Sequence, residues 1–217
     1  MTYQERMSLL LGDGTFKRKV ADITSYSHRY YKESAFAAYA TERAFRLSAT
    51  IRPRRQDYHD VMLEEELHEY NSINVGRLLT KPWAGTPFRL PRQDVLFSVH
   101  SHPVDEQERP ESVLRPSTAD LASAEELRTD NPEVVCGIAV PTARACGSLL
   151  LFRWSDASRP SLYQRYEEDP ATAVILQSMR DSGISTAVLE FTIADKAAVY
   201  EAAQAEAAIR ALYPEQM

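Results

Sequence analysis

Between Val95 and His102 the chain reads VLFSVHSH, and its period is the feature that most limits the fold. Val95, Phe97 and Val99 alternate with Leu96, Ser98, His100 and His102, as in a strand whose two faces meet different surroundings. Both histidines then project to one side. Downstream, STADLASAEELRT (117–129) reads as a helix, EVVCGIAV and SLLLFRW as two strands, and TAVLEFTI as a third. Residues 195–212 are alanine-rich, and Val199, Ala202, Ala205, Ile209 and Leu212 give them the apolar stripe of a helix packed on a core, with a homodimer face as the alternative use. Upstream, residues 17–32 read as a helix, followed by two strand-like runs, ESAFAAYAT and RAFRLSATI. Tyr26, Tyr30 and Tyr31 fall at partly helical spacing and read as packing rather than as a ligand cage. Prolines and glycines between 53 and 93 predict loops around one short strand, and the polar run 156–170 predicts a surface connection. Helices and strands interleave, so the expected architecture is α/β (α+β) with a mixed sheet.

A chain of 217 residues, 44% hydrophobic and 26% charged, can bury the core of one such domain. With 25 Lys and Arg against 31 Asp and Glu, the formal net charge is −6, and the basic footprint of non-specific nucleic-acid binding is absent. The opening MTYQERMSLLLGDG has an apolar run too short for a signal peptide, and nothing elsewhere approaches a membrane span. The expectation is a soluble, cytoplasmic protein. Cys136 and Cys146 form neither a CxxC pair nor a thiolate cluster and read as half-buried strand residues.

The chemistry concentrates in SVHSHPVDEQERPESVLRPSTADL, residues 98–121. A His-x-His pair on a strand often means nothing, and Ser117-x-x-Asp120 after Pro116 is the pattern of a helix N-cap. Together, however, two imidazoles at a strand end and a carboxylate in the next helix's first turn supply three zinc ligands, and a catalytic zinc takes three protein ligands and one open position. A serine at that helix start has a hydroxyl to offer an oxyanion. Other metal patterns fail: the other three of the five histidines, His28, His59 and His68, all precede the pair, the run after His102 is Pro-Val-Asp105-Glu106, and HExxH does not occur.

VHSHP followed by RPSTADL resembles the JAMM (MPN+, Mov34-like, prokaryotic JAB-type) metalloprotease motif, in which an upstream glutamate precedes His-x-His-Pro and Ser-x-x-Asp. The resemblance implies a cytidine-deaminase-like core over about residues 17–155, with residues from about 156 to 217 as a C-terminal α/β extension of a single domain. It implies one zinc per chain, held by His100, His102 and Asp120, with Ser117 at the oxyanion. It further implies hydrolysis of an isopeptide or peptide bond, commonly at the tail of a ubiquitin-like protein. The interval 103–116 is longer than the family's and reads as a charged insertion that gates the cleft, contacts substrate or is only a solvated loop.

The general base must be an upstream carboxylate. Glu33, opening the first core strand, matches the family's position although alanines stand where glycine is expected. Glu42 is second and the block Glu64, Glu65 and Glu66 third. Two other readings stay open: an MPN-like interaction module without catalysis, and a RadC-like protein associated with DNA repair, which the acidic balance disfavours.

Overall fold

The computed structural model describes residues 1–50, 52, 92–104, 110–154, 179–181 and 183–214, and every statement below concerns these. Helix α1 (Tyr3–Gly12) starts at a capping box in which Thr2 and Glu5 satisfy each other's backbone N–H. Helix α2 (Gly14–Tyr30) starts from Asp13, whose carboxylate accepts from the Phe16 amide at 2.7 Å. Strands β1 (Ala35–Ala40) and β2 (Phe45–Leu47) form a hairpin, and β3 (Val95–Ser101) pairs with β1 on its other side. After one helical turn, α3 (Pro110–Val113), comes α4 (Thr118–Asp130), then strands β4 (Val135–Ala143), β5 (Cys146–Trp154), β6 (Ile184–Ala194) and β7 (Ala197–Val199), and helix α5 (Ala202–Leu212).

The strands form one sheet in the order β2-β1-β3-β4-β5-β6-β7. Every pairing is antiparallel except β3 with β4, which are parallel because α4 carries the chain back between them. Two apolar layers result. On one face α1, α2 and α5 bury Leu10, Phe16, Val20, Ile209 and Leu212 against Phe36, Phe97, Val99, Val135, Leu149, Leu151 and Leu189. On the other, α4 sets Leu121, Ala124 and Leu127 over Cys136, Ile138, Leu150, Phe152 and Trp154. Residues 184–214 thus share one sheet and core with the described residues of 3–154, and α1 lies in that core although it precedes residue 17.

The sequence pattern of β3 holds from Phe97 to His102 and breaks one step earlier. Ala38 pairs with Phe97 but Tyr39 pairs with Val95, so Leu96 is the extra residue of a bulge. Leu96 consequently packs with the α1 and α2 layer and Val95 with the α4 layer, the reverse of simple alternation. The second correction concerns 195–201, which is not helix. Asp195 and Lys196 have φ of 49° and 62°, the backbone of a two-residue type I′ turn that pairs Ala194 with Ala197. Val199 therefore lies on β7, half exposed, and the helical stripe is Ala208, Ile209 and Leu212, buried in the chain's own core, with Ala205 partly buried against it. The tyrosines pack at the surface: Tyr26 and Tyr30 lie ring on ring at 4.9 Å with Arg52 over Tyr26, and Tyr30 and Tyr31 are half exposed. The expected strand within 53–91 and the connection at 156–170 lie outside the described residues.

Candidate metal centre

The site lies at the C-terminal end of β3, on the α4 face. Period two aims Ser98, His100 and His102 at this face and leaves Phe97, Val99 and Ser101 on the other. The His102 backbone N–H donates to Ala139 O at 2.9 Å, so the β4 ladder still holds the chain where the second histidine leaves the strand. Pro116 and Ser117 then open α4. The Ser117 hydroxyl accepts from the Asp120 N–H at 3.2 Å, and the Asp120 carboxylate accepts from the Ser117 N–H at 2.6 Å, a reciprocal box that pins both residues. Capping and ligation are therefore compatible, because one carboxylate serves both the box and the histidines.

Three donor atoms converge there. His100 Nε2 lies 3.0 Å from Asp120 Oδ1, His102 Nε2 lies 3.2 Å from Asp120 Oδ2, and the two imidazole nitrogens are 2.8 Å apart. All three side chains are nearly buried, at 6%, 12% and 12% exposure for His100, His102 and Asp120. His102 Nδ1 lies 3.0 Å from Val113 O, and a carbonyl can only accept, so Nδ1 carries the proton and Nε2 turns a lone pair toward the triad when the ring is neutral. His100 and Asp120 depart in opposite senses from their ordinary values. Burial lowers the proton affinity of His100, but the charge and hydrogen bond of Asp120, helped by the charge of Glu33, more than offset it and push its pKa up to about 8. Burial raises the pKa of Asp120, yet both histidines hold it well below the usual carboxylate range.

With Asp120 ionised, no placement of protons puts a hydrogen on all three close contacts at once. If His100 alone carries its Nε2 proton, the His102 lone pair faces a carboxylate oxygen at 3.2 Å. If His102 alone carries it, the His100 lone pair faces one at 3.0 Å. With both protonated, two N–H groups confront each other at 2.8 Å. A cation at the centre turns all three lone pairs inward at once. His100, His102 and Asp120 thus form a buried group that could hold a metal ion.

No family model and no curated protein matches this chain. Glu33 immediately precedes β1; Ala35 faces His100 across the ladder, and the Ser101 N–H donates to Ser34 O, which sets Glu33 beside His102 at the strand end. It is half-buried, and its charge reaches His100. Ser117 is exposed at the rim, its oxygen accepting from Asp120. Glu42 is exposed past the opposite end of β1, roughly 20 Å from the His100 end at ~3.3 Å per residue, and the structure does not bring it to the site. Glu64, Glu65 and Glu66, with His59 and His68, lie outside the described residues, and His28 is exposed on α2. Cys136, fully buried rather than half-buried, lines the space behind His100 and Asp120 with Ser98, Ser123 and Phe152. Burial, and then the charge of Asp120, push its thiol up to about 12, so it stays neutral. Cys146 is half-buried at the start of β5.

The sequence reading missed Val113. It belongs to the 103–116 interval, and its carbonyl orients His102, so this part of the interval is built into the site. No side-chain letter announces a backbone acceptor. Among the described residues no helix is long and apolar enough to cross a membrane.

Proposed function

We propose that this chain is a zinc-dependent isopeptidase or peptidase of the JAMM/MPN+ type, hydrolysing an amide bond at the C-terminal tail of a ubiquitin-like or other small protein. The observation that carries this reading is the convergence of His100, His102 and Asp120 from a strand end and a helix start, with Glu33 on the neighbouring strand end and Ser117 at the rim. Zinc is favoured among metals by donor type and spacing. Two imidazoles and one carboxylate are the ligand mixture of hydrolytic zinc sites, and zinc bonds of ~2.0–2.1 Å in a tetrahedron place donors about 3.3 Å apart. The two imidazole nitrogens are 2.8 Å apart, each lies 3.0 to 3.2 Å from a different oxygen of Asp120, and one ligand atom from each residue falls within 4.8 Å of the others.

When bound, zinc supplies a Lewis acid and lowers the pKa of a coordinated water to ~7. The chain's own residues do the rest. The Glu33 carboxylate takes the proton of the attacking water and delivers it to the leaving amine. Ser117, whose oxygen already accepts from Asp120, retains its hydroxyl proton to donate to the oxyanion. A groove of about 630 Å³ walled by Pro110, Leu114, Thr142, Ser148, Glu190 and Gln204 lies over the β4–β7 side of the sheet, and none of the five site residues lines it. The net charge of −6 is compatible with a protein substrate.

A second reading, the interaction module without catalysis, has one observation in its favour. Asp120 pairs with both histidines as the chain stands, and such a pairing can serve as an internal tie between β3 and α4. One assay separates the two. The zinc-loaded chain is incubated with a ubiquitin-like protein carrying a C-terminal amide-linked extension, beside Glu33→Gln. Cleavage that Glu33→Gln abolishes is expected. No cleavage, or equal cleavage by both, contradicts the proposed role of Glu33.

A further inference from the structure

Ser101 stands between the two histidines in sequence and on the opposite face of the sheet in space. Its hydroxyl is fully buried and is the hub of a small polar cluster. Ser27, in the last turn of α2, donates within this cluster: its Oγ lies 2.8 Å from Ser101 Oγ and 2.7 Å from Lys32 O. The Ser34 N–H donates to Ser101 Oγ at 3.0 Å, Ser101 Oγ reaches Ser34 O at 3.2 Å, and Ser34 Oγ lies 3.4 Å from Ile23 O. Ser27, Ser34 and Ser101 are each at 0% exposure.

These bonds tie down one short piece of chain, the turn from Lys32 to Ser34 that leaves α2 and enters β1. Glu33 is its middle residue. Ser34 turns its side chain toward α2, its carbonyl extends the β1–β3 pairing by one residue so that the Glu33 backbone stands level with His102, and the charge of Glu33 acts on His100. Tyr31, just before the turn, holds a left-handed backbone with φ of 53°, so the chain reverses sharply there and the helix alone does not aim the next residues.

Resting on the zinc reading above, we propose that Ser101, through Ser27 and Ser34, is a positioning residue for Glu33. It locks the turn 32–34 to the end of β3, so that the carboxylate keeps its place beside His100 and His102. Ser101 touches neither the ligand atoms nor a substrate. Its influence runs through the backbone of the residue it holds.

The test is a double-mutant cycle on zinc affinity, measured by competition with a chromophoric chelator, on wild type, Ser101→Ala, Glu33→Gln and the double variant. A carboxylate beside the ligands supports the cation, and outer partners of this kind are worth ~10-fold or more in metal affinity. Glu33→Gln is therefore expected to weaken zinc about tenfold, Ser101→Ala by roughly a third to all of that factor, and the double variant no more than Glu33→Gln alone. Equal weakening by Ser101→Ala in both Glu33 backgrounds means that it acts on the histidines directly, and overturns the positioning role while leaving the zinc reading intact. An unchanged affinity in Glu33→Gln removes Glu33 from the site and overturns this proposal together with the base assignment. No zinc bound by wild type overturns the zinc reading itself. Should Ser101→Ala not fold, Ser27→Ala carries the same cycle, because it cuts the clasp from the helix side without altering β3.

Discussion

His100, Ser101 and His102 are consecutive, yet the two faces they address obey opposite rules. On the α2 face, Ser101 meets hydroxyls and backbone amides in numbers that match, and each donor finds an acceptor without any charge. On the α4 face, two imidazoles and a carboxylate crowd within 3.2 Å of one another, and no distribution of protons puts a hydrogen on all three contacts. A satisfied neutral network holds a fold in place, because breaking it strands buried polar groups. An over-supplied charged one is suited to a ligand, because a cation resolves it. Being a strand end is common to both faces; what separates them is whether the polar groups close on themselves.

That contrast can be broken from either side. The largest effect is expected for Glu33→Gln, which should cut turnover by ~10²–10⁴-fold while one zinc per chain is retained in excess metal, read as kcat on an amide-linked fusion beside metal analysis. Next, His102→Ala should lose stoichiometric zinc and activity together, since the remaining pair cannot enclose the ion. Zinc itself should stabilise wild type by about 2.7 kcal/mol at a free concentration one hundred times Kd, and this gain should vanish in His102→Ala; thermal unfolding with and without a chelator measures it.

On the neutral face the effects are smaller and fall on stability. Ser27→Ala removes the hydroxyl that links α2 to Lys32 O and Ser101 Oγ and should cost about 1–3 kcal/mol in urea unfolding, with zinc stoichiometry in excess metal unchanged. Smallest is Ser117→Ala, expected to cost about 1 kcal/mol through the lost helix cap. A fall in turnover beyond that stability loss would separate its oxyanion role from capping.

How much of this was legible in the sequence depended on which atoms carry the information. His100, His102 and Asp120 could be read because imidazole and carboxylate are written in the residue letters, and because period two and the Ser-x-x-Asp cap fix directions locally. Glu33 was legible in position only, since its neighbourhood to His102 depends on how β1 registers against β3. The bulge at Leu96 is set by that same register, and it moved Val95 to the face opposite the one expected. The turn at Asp195 and Lys196 was hidden because an alanine-rich run suits a helix, and two residues of left-handed backbone override it. Val113 contributes only a carbonyl, which every residue has.

The most direct test of the central claim is the zinc content of the purified chain beside Asp120→Ala, measured by atomic emission after reconstitution and removal of excess metal. One zinc per chain in wild type and markedly less in the variant is the predicted result. No zinc in either would mean that Asp120 only caps α4 and ties it to the histidines, and would contradict the account.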